Sequence, residues 1–288
     1  MFQIIYNPVA GKKTALKNLQ IVTKMFDERG VEYALHESHK VHECTEIARR
    51  LTEEGKRDLI VLGGDGTLNE VLNGLDNPAE CRLGLIPSGT GNDFAEKIGV
   101  PVDAEKATAL ILDGEAKDTD YLNIGGYRCM NVGGIGMDVD VLERCHKGKM
   151  KGKPKYVLSL LQSLFTFKGY TVTVTSEGRE ETHEALIAAA CNGGFFGGGI
   201  PICPAAVVDD GKINVVVVDC IGGVFKLIKA FMVLMKGGVL EYPLTTHYLC
   251  DSVRFTPKNP CMAQLDGELY GNDLSFEVSV GSGLKFYR

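Results

Sequence analysis

At 288 residues and 44% hydrophobic composition, the chain is long enough to bury one large core or two of ordinary size. A formal net charge of -6 excludes general nucleic-acid binding, which needs a basic footprint, and no apolar run reaches the roughly 18 residues that span a bilayer. Nine cysteines without a C-x-x-C pair, together with the lack of a signal peptide, predict reduced thiols, most of them small core residues, in a cytoplasmic protein.

Phe2 to Tyr6 reads as a compact apolar strand. It ends in Asn7-Pro8-Val9-Ala10-Gly11-Lys12-Lys13, a turn-forming loop, and Leu16, Leu19, Val22 and Phe26 then mark an amphipathic helix. Strand, glycine-bearing loop and helix in that order cradle anions, although a bland turn with two solvated lysines fits this loop equally well. Val31 to Leu35 predicts a second strand, and Val41, Cys44, Ile47 and Leu51 place an apolar stripe on a helix ending near Gly55. Leu59 to Leu62 is a continuous apolar run, the pattern of a parallel strand buried on both faces. Gly63, Gly64 and Gly66 stop it, and Leu68, Val71, Leu72 and Leu75 recur at helical spacing. A helix N-terminus therefore follows the glycines directly, with open amides and a positive dipole end, a geometry that binds phosphate. Leu83 to Ile86 empties into Pro87-Ser88-Gly89-Thr90-Gly91-Asn92-Asp93-Phe94-Ala95, a further glycine loop before a short helix, and Ala104, Ala107, Leu110 and Ile111 give one more. This β-α-β-α-β rhythm implies a parallel, doubly wound α/β domain with ligands at the strand carboxyl ends.

After Asp113-Gly114 the rhythm changes. Asp118 to Ile124 and Arg128 to Val132 alternate around Gly125-Gly126 as a hairpin, and strands are predicted at Tyr170 to Thr175, Ala185 to Cys191, Ile213 to Asp219 and Leu274 to Val280. The second half is mainly antiparallel β. The expected domains are 1–122 for nucleotide binding and 123–280 for a β-rich domain, with 281–288 able to return to the first. Arg144 to Lys155, RCHKGKMKGKPK, has no acidic residue and fits either a solvated loop or a patch meeting an anionic membrane surface. Val224 to Met235 is a strongly apolar helix, either an ordinary core helix or the wall of a lipid-receiving cleft.

An aspartate among glycines at an anion site repels phosphate unless a divalent cation lies between them, so Asp65 points to magnesium; its alternative is a helix cap. Thr67 and Thr90 can donate hydroxyl hydrogens, Asn69 and Glu70 begin the helix beside them, and Asp93 repeats the relation at the further loop. Carboxylates beside two such loops favour a nucleotide and magnesium site over two unrelated caps. Gln264-Leu265-Asp266-Gly267-Glu268 is a hairpin signal that also offers Glu268 as a proton acceptor. Asp209-Asp210-Gly211 is a hairpin turn or a hard-cation site.

The segments GGDGTLNEVLNGL, PSGTGNDFA, NVGGIGMDVDV and LDGE, in this order across almost the whole chain, resemble the diacylglycerol kinase catalytic family of lipid kinases, with bacterial soluble diacylglycerol kinases, YegS-like kinases and sphingosine kinases among its relatives. The resemblance implies an α/β nucleotide domain, a C-terminal β-sandwich domain for the lipid and an active site in the cleft between them. It implies ATP binding by Asn7, Ala10, Gly11 and Lys12, by Gly63, Gly64, Asp65, Gly66, Thr67, Leu68 and Asn69, and by Ser88, Gly89, Thr90, Asn92 and Glu268. Glu268 matches the family's proton acceptor, with Asp266 beside it and Asp65 as the third catalytic position. Asp65, Asp93 and Asp120 match acidic positions linked to catalytic Mg2+, and VVDDGKI matches a structural magnesium loop using Asp210 and the carbonyls of Val207 and Lys212. Val9-Ala10 stands where many members carry a serine before the glycine. The expected partners are a membrane lipid substrate, a membrane surface met peripherally and a second copy of the chain, with no nucleic acid. Diacylglycerol is the first acceptor expected, with phosphatidylglycerol, a sphingoid base or a soluble metabolite of the NAD-kinase type as alternatives, and a binding module without turnover as the rival from another class.

Overall fold

The computed structural model describes residues 1–147, 162–163, 166–167, 169–220, 223–273 and 275–288, side chains at 12–13, 138, 145–147, 224–225 and 272–273 excepted. Two compact units emerge: the first comprises Met1–Tyr121, Val208–Asp210 and Gly281–Arg288, the second Leu122–Val207 and Gly211–Val280.

In the first unit the strands are β1 (Phe2–Tyr6), β2 (Tyr33–Glu37), β3 (Asp58–Gly63), β4 (Arg82–Pro87) and β5 (Ala116–Asp118), and the helices α1 (Thr14–Arg29), α2 (Glu43–Glu53), α3 (Asp65–Gly74), α4 (Asp93–Lys97) and α5 (Ala104–Asp113). β1 to β4 are parallel, in the order β2-β1-β3-β4. The C-terminal strand Lys285–Tyr287 lies between β4 and β5, parallel to the first and antiparallel to the second, so the sheet is mixed. Ile4, Ile5, Leu59 to Leu62, Leu83 and Ile86 are inaccessible, as continuous apolar runs in a sheet covered by helices require. β2 begins two residues later than the apolar run suggests. Gly30 (φ +63°) closes α1, and Val31 N donates to Phe26 O at 3.0 Å, a helix stop that occupies Val31.

The second unit has β6 (Tyr121–Ile124), β7 (Tyr127–Cys129), β8 (Val132–Gly136), α6 (Met137–Lys147), β9 (Tyr170–Ser176), β10 (Arg179–Cys191), β11 (Phe195–Phe196), β12 (Ile200–Pro201), β13 (Ile213–Asp219), α7 (Val224–Met235), β14 (Thr245–Cys250), β15 (Ser252–Pro257), β16 (Cys261–Leu265), β17 (Glu268–Asp273) and β18 (Phe276–Gly281). The expected sandwich strands join in one antiparallel sheet, β17-β16-β8-β10-β9-β15-β18-β6-β7, with β13 and β14 branching from β10. β10 makes this possible. Its first half pairs with β9, its second half with β8 and β13, and the register shifts between Ala185 and Ile187. Val215 and Val217 enter one apolar core with Phe255 and Val278, while Val216 and Val218 enter another with Leu227, Ala230 and Leu234 of α7. The valine run of β13 is thus buried on both faces.

Candidate phosphate-binding site

The strand order sets the carboxyl ends of β1, β3 and β4 side by side, so the loops that leave them share one edge of the sheet. Ser88 N donates to Gly63 O at 2.7 Å and Asn7 N to Leu62 O at 3.4 Å. The loops touch through glycines: a Cβ on Gly64 would lie 2.8 Å from Gly89 Cα, and one on Gly11 (φ +55°) would collide with the Ser88 carbonyl. Asn18 of α1, buried, donates from Nδ2 to Ser88 Oγ at 2.9 Å. Asn92, at φ +61°, accepts at Oδ1 from Gly89 N at 2.9 Å and donates from Nδ2 to Gly89 O at 3.2 Å, fixing the third loop.

α3 starts behind Gly64 with no side-chain cap, so helix geometry leaves the amides of Asp65, Gly66 and Thr67 without intrahelical acceptors. The Asp65 carboxylate serves the neighbouring loop instead. Oδ2 accepts from Asn92 N at 2.7 Å and Oδ1 from Phe94 N at 3.1 Å, which caps α4 and binds the second loop to the third. Thr90 is exposed at the loop tip, whereas Thr67 is buried, its side chain 2.5 Å from where a Cβ on Gly63 would stand. The expected hydroxyl pair is therefore divided between a buried and an open position. Leu68 and Asn69 are buried, and Asn69 O accepts from Asn73 Nδ2 at 2.9 Å. Glu70 accepts from His42 N at 3.1 Å and Cys44 N at 3.2 Å, holding the start of α2. It also lines a hollow with Asn7, Pro8, Ser38 and Lys40 beside the first loop. Ala10 and Gly11 form a single 3-10 turn, and the Lys12 side chain lies outside the described residues.

Asp93 and Asp120 are buried, and Asp120 N donates to Val208 O at 2.6 Å. Asp209 pairs with Arg288 at 2.5 Å, Val207 is exposed, and Lys212 Nζ meets Asp251 at 2.6 Å. Among the described residues no three His, Cys, Asp or Glu side chains gather around a metal-sized position, so Asp65, Asp93 and Asp120 do not form a trio. A magnesium ion in a phosphoryl-transfer site takes one or two carboxylates and fills its remaining positions with phosphate and water. Asp65, beside open helix amides and with lone pairs left after two hydrogen bonds, fits that smaller requirement.

In the second unit Asp266 and Gly267 form a two-residue turn, φ +51° and +88°, between β16 and β17, the backbone that a D-G pair favours. The Asp266 carboxylate accepts from Met130 N at 2.7 Å, Asn131 N at 2.8 Å and Val132 N at 3.2 Å, and from Cys129 Sγ at 3.0 Å. Burial foremost, then the Asp266 charge, pushes the Cys129 thiol far up and keeps it a donor. Glu268 opens β17 opposite Leu265 and is exposed. Burial first, then the charges of Glu268 and Asp266, push Tyr270 up to about 12, so it remains a hydroxyl donor. Behind this turn Ile124, Tyr127, Cys261, Leu265, Tyr270 and Phe276 line an apolar hollow.

Arg144 lies on α6, paired with Asp140 at 2.8 Å, and does not belong to an open loop. Residues 148–155 of the basic segment lie outside the described residues. One position and one role were missed by sequence reasoning. Asn18 sits on the buried stripe Ala15, Asn18, Val22 and Phe26 of α1, and an amide on an apolar stripe is a signal for a buried hydrogen bond. The role of Asp266 as a backbone anchor had no local signal, because its partners lie more than 130 positions earlier.

Residues 1–124 match the family model of the diacylglycerol kinase catalytic domain, and residues 131–281 that of the YegS C-terminal NAD kinase beta sandwich-like domain. The diacylglycerol kinase of Staphylococcus carnosus is 27% identical over 276 residues, 94% of this chain and 89% of that protein. The diacylglycerol kinase of Bacillus subtilis is 27% identical over 282 residues, 96% and 91%. A solved structure from Bacillus anthracis matches with a TM-score of 0.82 at 23% identity, covering 99% of this chain and 94% of that one, a likeness of fold.

Proposed function

We propose that this chain, which belongs to the diacylglycerol kinase-like family and is accordingly a phosphotransferase with an alcohol acceptor, transfers the γ-phosphoryl group of ATP to the hydroxyl of a membrane lipid, with diacylglycerol as the acceptor and phosphatidic acid as the product. The observation that carries the reading is the glycine-paired edge of the first unit, where unfilled α3 amides adjoin Asp65. The first-turn amides and Thr90 bind phosphate oxygens, and the amides hold charge that develops there. Mg2+, when bound, neutralises phosphate charge, and Asp65 is the carboxylate that would hold it. Glu268 accepts the hydroxyl proton as the acceptor oxygen bonds to the γ-phosphorus and the bond from phosphorus to the β,γ-bridging oxygen breaks. Asp266 acts by holding the Glu268 hairpin. The relatives named diacylglycerol kinase, matched over most of the chain, support a lipid acceptor over a soluble metabolite.

The test is transfer of labelled γ-phosphate, with magnesium, to mixed vesicles of diacylglycerol, phosphatidylglycerol and a sphingoid base, with NAD offered separately. Labelled phosphatidic acid is expected. Label in another lipid would correct the acceptor, and label in NAD alone would overturn the lipid reading.

A further inference from the structure

α7 carries apolar residues on two sides. Leu227, Ala230 and Leu234 are buried against the core that contains Val216 and Val218. Ile228, Met232 and Met235, at i, i+4 and i+7, form a second stripe that is 37%, 53% and 48% exposed. Lys229 and Lys236 are exposed beside it, while Lys226, also exposed, lies on the flank that lines a hollow with Leu227 and Asp219. None of the three forms an ion pair with another described residue, and no acidic residue occurs from Gly223 to Gly238.

We propose that this outer face of α7 docks the protein on an anionic lipid bilayer, the stripe entering the headgroup boundary and the lysines meeting lipid phosphates. An exposed apolar stripe with a cationic border fits an interfacial helix. Among the described residues no helix is long and apolar enough to cross a membrane, so the contact is one of a face. With a net charge of -6 an anionic surface repels the molecule as a whole, which makes this acid-free stretch a selective point of approach. Charge also argues against a second copy as the occupant, because a two-fold contact through this face would bring the lysines of two chains together. The inference rests on the lipid-acceptor reading, since such a substrate is reached at a bilayer.

Vesicle sedimentation of the full chain tests it without requiring turnover. Binding to phosphatidylcholine vesicles containing phosphatidylglycerol is expected to fall roughly tenfold in Met232→Asp/Met235→Asp, whose altered side chains are already exposed. In Lys229→Gln/Lys236→Gln it is expected to weaken several-fold and lose most of its salt dependence. Both variants should keep the wild-type thermal transition and the wild-type rate on a short-chain diacylglycerol dissolved without vesicles. Unchanged vesicle binding in both variants would overturn the proposal, as would loss of a dimer in light scattering with vesicle binding intact. Failure of wild type and variants alike to phosphorylate any lipid, with vesicle binding lost only in the variants, would sink the lipid-kinase reading and leave the docking face standing.

Discussion

Asp65 and Asp266 both stand beside glycine turns and both accept backbone amides, yet their surroundings give them different work. Asp65 accepts two amides from one neighbouring loop and lies next to helix amides with no acceptor of their own. Asp266 accepts three amides and a thiol from Cys129 to Val132. The first arrangement joins two loops while leaving electrostatic capacity for a ligand. The second is consumed by the protein itself. A carboxylate beside a glycine is therefore not a site by its residue type; what decides is how many donors the fold has already aimed at it.

Asp266→Ala should give the largest effect, because three buried amides lose a charged acceptor at once. A loss of about 3–5 kcal/mol is expected, read as a lower denaturant midpoint. Asp65→Ala should reverse the pattern, costing about 1–2 kcal/mol as a lost cap while lowering turnover on the order of 10³-fold. Equal stability losses in the two variants would erase the contrast. Gly64→Ala sharpens the loop side of it: the added carbon meets Gly89 Cα at 2.8 Å, and a displaced loop should lower kcat/KM by about 10²-fold. The smallest effect concerns acid stability. Burial foremost, then nearby Arg50, holds His36 below the usual histidine range, and its Nε2 meets Gln3 Oε1 at 2.9 Å. The folded state therefore prefers neutral His36, whose contribution is complete above the unfolded pKa, about 6.5, and is lost as pH falls through the folded value. His36→Gln should show a shallower decline in thermal stability below that pH.

Much of the first unit was legible because its signals are local. The run Leu59 to Leu62, three glycines and the Leu68, Val71, Leu72, Leu75 stripe specify strand, turn and helix without distant help, and β3 and α3 form there. Asn92 was legible as a loop residue but not as the acceptor that fixes Gly89, since that depends on a left-handed backbone. Thr67 illustrates the limit: spacing sets it one helical position from Leu68 but cannot show that Gly63 is open enough to receive its side chain. In the second unit the alternating strands were visible, whereas their union into one sheet depends on β10 changing partners near Ala185. α7 was recognisable as apolar, and only packing separates the half that joins Val216 and Val218 from the half left exposed.

The central claim is a division of labour, with the first unit holding nucleotide phosphates and Glu268 accepting the acceptor's proton. Glu268→Gln tests it most directly, because shape is kept while proton acceptance is lost. Calorimetric ATP binding and labelled phosphate transfer to diacylglycerol should be measured on the same preparation. The account predicts ATP affinity within about twofold of wild type and transfer slowed about 10²- to 10⁴-fold. Near-normal transfer in that variant would contradict it.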